Sequence, residues 1–223
     1  MDPQWLVLAH LLLFVYWLGG DLGVFYSSRF VTNPALGTEA RATAAHIMLA
    51  VDLAPRICMI LILPVGLTLA AMTWGLDLSG LLLTLIWLGC LVWLVLAVSI
   101  YLREGSALAH LLARIDQAIR WFVIVVVGGV ALWSLVADGP LAGQFWLAAK
   151  MLIFALLVIC GLGIRAVLKP FGPAFGKLMR EGSSPDVEAD LGRSVARARP
   201  FVLAIWAGLV LAAGLGVFKP LLA

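Results

Sequence analysis

Seven ionisable side chains interrupt long apolar stretches of this chain: His10, Asp21, His46, Asp52, Arg56, Arg120 and Lys150. Inside hydrocarbon each would cost about 2.5–3.5 kcal/mol even on a lenient insertion scale, so each is expected to have a partner or a task. Asp52 and Arg56 are four residues apart, as are Asp116 and Arg120, a spacing that pairs opposite charges on one helix face. Asp21 could join either arginine from another helix. Lys150 has no acid near its depth, since Asp2, Asp77 and Asp138 fall in a tail or in loops. It must snorkel, lose its proton or meet an anion brought by something else. His10, desolvated and hence neutral, keeps an imidazole nitrogen able to ligate a metal. His46 and His110 form a second candidate ligand pair, although solvated histidines near helix ends explain them as well.

The elements that carry these groups follow from hydropathy. Apolar residues make up 64% of the 223 residues and charged ones only 12%, which excludes a soluble globular domain. Apolar runs predict helices over about 4–28, 43–73, 79–103, 107–137, 141–168 and 200–220, each long enough to span a bilayer. Breaks fall at Asn33-Pro34, Gly75 to Gly80, Gly105-Ser106, Asp138-Gly139-Pro140 and Lys169-Pro170, while Pro55 and Pro64 lie inside the second helix. The expectation is an all-α polytopic transmembrane helical bundle of about six spans, forming a single integral membrane domain over 1–223. Cys58, Cys90 and Cys160 are isolated in apolar runs and read as small packing residues. The net charge of +3 lies mostly in connecting segments and implies no nucleic acid partner.

Basic residues are concentrated after odd-numbered helices: Arg29, Arg41, Arg103, Arg165, Lys169, Lys177, Arg180, Arg193, Arg197 and Arg199. The positive-inside rule then places both termini outside and the segment 169–199 in the cytoplasm, as expected of a multi-pass protein of the bacterial inner membrane. Within that segment Ser183-Ser184-Pro185-Asp186-Val187-Glu188 has the composition of a helix start. Val187, Leu191 and Val195 form a thin apolar stripe, so a short amphipathic helix on lipid headgroups, or a docking surface for a soluble partner, is expected there. Counted from Trp5 and Trp146, His10 and Lys150 share a depth roughly 6–8 Å below the outer surface.

The stretch His10-(six residues)-Trp17-Leu-Gly19-Gly20, followed by Gly23-Val-Phe25-Tyr26-Ser-Ser-Arg29, resembles the first helix of HemJ-type protoporphyrinogen oxidases and of the related CopD-like membrane proteins. Asp52 and Arg56 ahead of Pro64, and Trp146-Leu-Ala-Ala-Lys150, resemble two further segments of that group. The resemblance implies a helical bundle holding haem b, with His10 as an axial ligand and redox chemistry in the membrane. Trp17, Gly20 and Lys150 would contribute to cofactor binding, and Arg56 and Lys150 would be functional positions. The chain departs from the group in having six spans rather than about four and in lacking its later Tyr-His pair. Haem binding is therefore the expectation, rather than protoporphyrinogen oxidation itself, with quinone or porphyrin as reaction partner.

Gly19, Gly20 and Gly23 could line a groove for a flat macrocycle, and helical bundles hold cofactors between facing helices. Two alternatives stay open. One is a copper permease of the CopD-like kind, in which Met48, Met59, Met72 and Met151 would join His10 as soft ligands. The other is a membrane anchor for a soluble dehydrogenase, using the arginine-rich segment 186–199. A homo-oligomer is compatible with either.

Overall fold

The computed structural model describes residues 3–103, 105–137 and 139–219. Asp2, Asp138 and the chain end from Pro220 to Ala223 therefore lie outside the described residues. Seven helices follow in order: α1 (Pro3–Val31), α2 (Thr38–Thr73), α3 (Gly80–Leu102), α4 (Ala107–Val136), α5 (Phe145–Val167), α6 (Phe171–Glu181) and α7 (Pro185–Phe218). No strand occurs among the described residues. Six helical stretches are long and apolar enough to cross a membrane: α1 to α4, α5 continued by α6, and α7. The protein is an all-α, multi-pass membrane protein whose exposed leucines, valines and phenylalanines suit contact with lipid.

Local chemistry sets the helix ends. Ser79 Oγ accepts from Leu82 N, Ser106 Oγ from Ala109 N and Ser184 Oγ from Val187 N, which caps α3, α4 and α7. The α5 start expected at 141 falls instead at Phe145, because Leu141–Gln144 turn through Gly143 at φ +78°, a conformation that suits glycine.

The segment 169–199 departs most from expectation. It holds α6 as well as the start of α7, and α7 then runs unbroken through Pro200 into the last apolar stretch. Pro170, Gly172, Pro173 and Gly176 hide α6 from a propensity reading, yet Pro173 sits in its first turn, where the missing N–H has no intrahelical partner to lose. Ala174 and Leu178 of α6 pack with Val187 and Leu191 of α7, and Phe171 and Phe175 close over them. The apolar stripe of the arm is thus spent inside a helical hairpin rather than on headgroups. Val195, expected in that stripe, is only partly buried, and Ser194 and Ala198 take the inward positions.

Two compact units result, one of Met1–Asp21 with Val51–Arg120 and the other of Leu22–Ala50 with Trp121–Ala223. In the first, α1 and α2 pack antiparallel. Gly20 lies against Pro55 and Gly66 against His10, so α2 advances eleven residues as α1 retreats ten. In the second, α5 and α7 pack antiparallel through Gly163 against Phe201 and Gly208 against Leu157. The hairpin is fastened there too: the buried Arg41 donates from Nε to the Val31 carbonyl and from both terminal nitrogens to Glu188, at 2.8, 2.7 and 3.0 Å.

Candidate functional site

The first unit holds the largest buried concentration of charge. Asp116 and Arg120 are one turn apart on α4, 0% and 3% exposed, and joined by Arg120 Nε donating to Asp116 Oδ2 at 2.9 Å. The other Asp116 oxygen accepts from Trp93 Nε1 of α3 at 2.7 Å. A terminal nitrogen of Arg120 donates to Met59 Sδ of α2 at 3.3 Å, and the guanidinium carbon lies 5.6 Å from the Trp93 ring centroid. The spacing of Asp116 and Arg120 announced their pairing, and residues of three helices enclose the pair. Neither Trp93 nor Met59 was legible as a partner: a tryptophan and a methionine in apolar runs look like packing residues.

The other pair is more open. Arg56 donates to Asp52 one turn earlier on α2, and their side chains are 35% and 28% exposed. Asp21 of α1 is approached by the Trp17 indole and lies within electrostatic reach of Asp52.

His10, Trp17 and Gly20 fall on one face of α1, at i, i+7 and i+10. Trp17 is buried, and the outer two positions both meet α2. At Gly66 a methyl group would come within 3.0 Å of His10 Cε1 and 3.5 Å of Nδ1. The absence of a side chain at Gly66 is what gives the imidazole its place. At Gly20 a methyl group would come within 2.5 Å of Pro55 Cδ. The space expected for a macrocycle at Gly20 is taken by the Pro55 ring, so Gly20 acts in helix packing.

Lys150 belongs to the second unit. Its Nζ lies over Gly216 of α7, at 2.7 Å from where a methyl group would stand, and 6.0 Å from the Trp146 ring centroid. Among the described residues no carboxylate pairs with it. His46 and His110 are exposed and fall in different units. Of the methionines proposed as soft ligands, Met59 spends its sulfur on Arg120 and Met72 is 47% exposed. Among the described residues no three His, Cys, Asp or Glu side chains gather as a ligand set. The three cysteines are free, with Cys58 and Cys90 buried.

Comparison with protein-family models, with curated proteins and with solved structures gave no match.

Proposed function

We propose that this chain is a haem-b-binding redox protein of the bacterial cytoplasmic membrane, with His10 as an axial ligand to the iron. The observation that carries the reading is the seat of His10, an imidazole in the apolar part of α1 held against a glycine of α2, with Nδ1 enclosed. This donor suits haem, because a macrocycle brings four nitrogens of its own and asks the protein for only one or two ligands. The glycine groove does not suit it at Gly20, which Pro55 fills.

Bound haem b supplies one-electron chemistry, suited to exchange with a quinone or a porphyrin. The chain's own residues do the rest. The α1–α2 seam fixes the imidazole, and Trp17 contributes apolar bulk on the same face of α1. Arg56, steadied by Asp52, offers a cation that can meet an acidic group on a substrate. Lys150, with the Trp146 ring beside it, offsets negative charge on a bound acid. In this reading both termini lie outside and the α6–α7 hairpin faces the cytoplasm.

A reduced-minus-oxidised optical spectrum of the purified protein tests the cofactor. A b-type band is expected, and a protein purified without haem that binds none on reconstitution would overturn the reading. Reporter fusions at Ser183 and at the chain end test the orientation, with Ser183 expected in the cytoplasm and Ala223 outside. A cytoplasmic signal from Ala223 would reverse it.

A further inference from the structure

The α5–α7 register has a consequence at its charged end. Gly163 meets Phe201, Leu157 meets Gly208 and Lys150 meets Gly216, so the two helices stay in one antiparallel register along their contact. That register sets Arg165 level with Arg199 on α7, with Arg197 half a turn before Arg199 and Lys169 two residues past the end of α5. The four cations therefore occupy about one turn of the helix pair, roughly 6 Å along the axis. The apolar run of α7 begins at Pro200 and Phe201, so this level lies where the chain passes from lipid to water.

The acids of the hairpin are committed elsewhere. Glu188 takes Arg41, Asp190 takes Arg193 at 2.8 Å, and Glu181 stands 3.9 Å from Lys177. Asp186 lies eleven residues before Arg197, about 16 Å away along the helix. Lys169, Arg197 and Arg199 are exposed and have no carboxylate partner among the described residues. Ala174, Leu178, Val187 and Leu191 of the hairpin are buried in its own core, which leaves Met179 and the partly covered Phe171 and Phe175 as its apolar surface. Beyond these residues, what it offers to the membrane surface is positive charge.

We infer that Lys169, Arg197 and Arg199 form a binding level for the phosphate of anionic phospholipid headgroups. A guanidinium can give a phosphate two parallel charge-assisted hydrogen bonds, and basic clusters beside a membrane span attract anionic lipid. A soluble acidic protein is disfavoured, because the cations sit at the foot of the hairpin, next to the apolar run, rather than at its Gly182–Ser184 tip. The inference is independent of haem.

The test is native mass spectrometry of the intact protein released from mixed micelles holding equal fractions of phosphatidylglycerol and phosphatidylcholine. Wild type should retain phosphatidylglycerol several-fold over phosphatidylcholine. The R197Q/R199Q double variant should lose most of that preference, K169Q should lose less, and R193Q, whose cation is already paired, should keep it. Raising ionic strength should weaken the preference in wild type, which tests the idea even if a variant folds poorly. Equal retention of the two lipids by wild type would overturn the inference, as would an undiminished preference in R197Q/R199Q. Displacement of the lipid by millimolar inorganic phosphate would also overturn it, since the site would then be one for free phosphate.

Discussion

The Asp116–Arg120 pair and the His10 imidazole lie in the same compact unit, yet they are accommodated in opposite ways. The pair on α4 is enclosed by partners from two further helices, with Trp93 of α3 donating to Asp116 and Met59 of α2 accepting from Arg120. His10 is accommodated by subtraction: Gly66 withholds a side chain, and the imidazole fills the gap. A charge centre closed in this way holds helices together. A side chain seated against an empty position is held by shape, and removing it strands no charge. Residues of the first kind should therefore govern stability, and those of the second kind cofactor content.

The largest effect should come from dismantling one half of the closed centre. Asp116→Leu or Arg120→Met leaves an uncompensated buried charge and should cost about 3–5 kcal/mol in equilibrium unfolding of the detergent-solubilised protein. Replacing both together should cost far less, because no charge is stranded. A double variant as unstable as either single would break the contrast. Trp93→Phe removes only the indole donor to Asp116 and should cost roughly 1–3 kcal/mol, read in the same assay.

The Arg41–Glu188 clasp sharpens the comparison, because it uses the same chemistry nearer to water. Glu188→Gln keeps the shape but loses the charge, so it should cost on the order of 1 kcal/mol and act locally. Hydrogen exchange should quicken in α6 and the first turns of α7 while α3 and α4 stay protected. Acid should do the same. Glu188 lies in the first turn of α7, well before the apolar run, and hydrogen bonds from Arg41 hold its carboxyl below the usual glutamate range, with Ser183 adding to the effect. A carboxylate lowered in this way contributes fully above its unfolded value, and the contribution is lost as pH falls through the folded one. The hairpin should therefore loosen on acidification below the ordinary glutamate range, and E188Q should abolish that pH dependence. Loosening on raising the pH instead would contradict the assignment.

Much of this architecture was legible in the sequence because hydrocarbon allows so few solutions. Apolar length alone located most helix bounds within a few residues, save where Leu141–Gln144 form a turn, where α2 begins at Thr38 rather than 43 and where α7 begins at Pro185 rather than 200. Spacing alone announced the Asp52–Arg56 and Asp116–Arg120 pairs. The partners that complete these groups were hidden, because tertiary contacts choose them. Arg41 looked like one more loop cation until Val31 and Glu188 enclosed it. Helix α6 was hidden by its own prolines and glycines, and only packing on α7 accounts for it. At the candidate site the sequence singled out His10 but not its seat, since a glycine such as Gly66 carries no chemical signal. It also assigned Gly20 to a groove that Pro55 fills.

The most direct test of the central claim compares the haem content and optical spectrum of wild type, His10→Ala and Gly66→Ala, each purified under the same conditions. Gly66→Ala keeps the imidazole but puts a methyl group 3.0 Å from Cε1, so it should shift the b-type band while retaining haem. His10→Ala should lose the haem or change its spin state, since an axial ligand is gone, and its unfolding midpoint should move little beside that of Arg120→Met. Full haem content with an unaltered spectrum in His10→Ala would contradict the account and send the search for an axial ligand to His46 and His110.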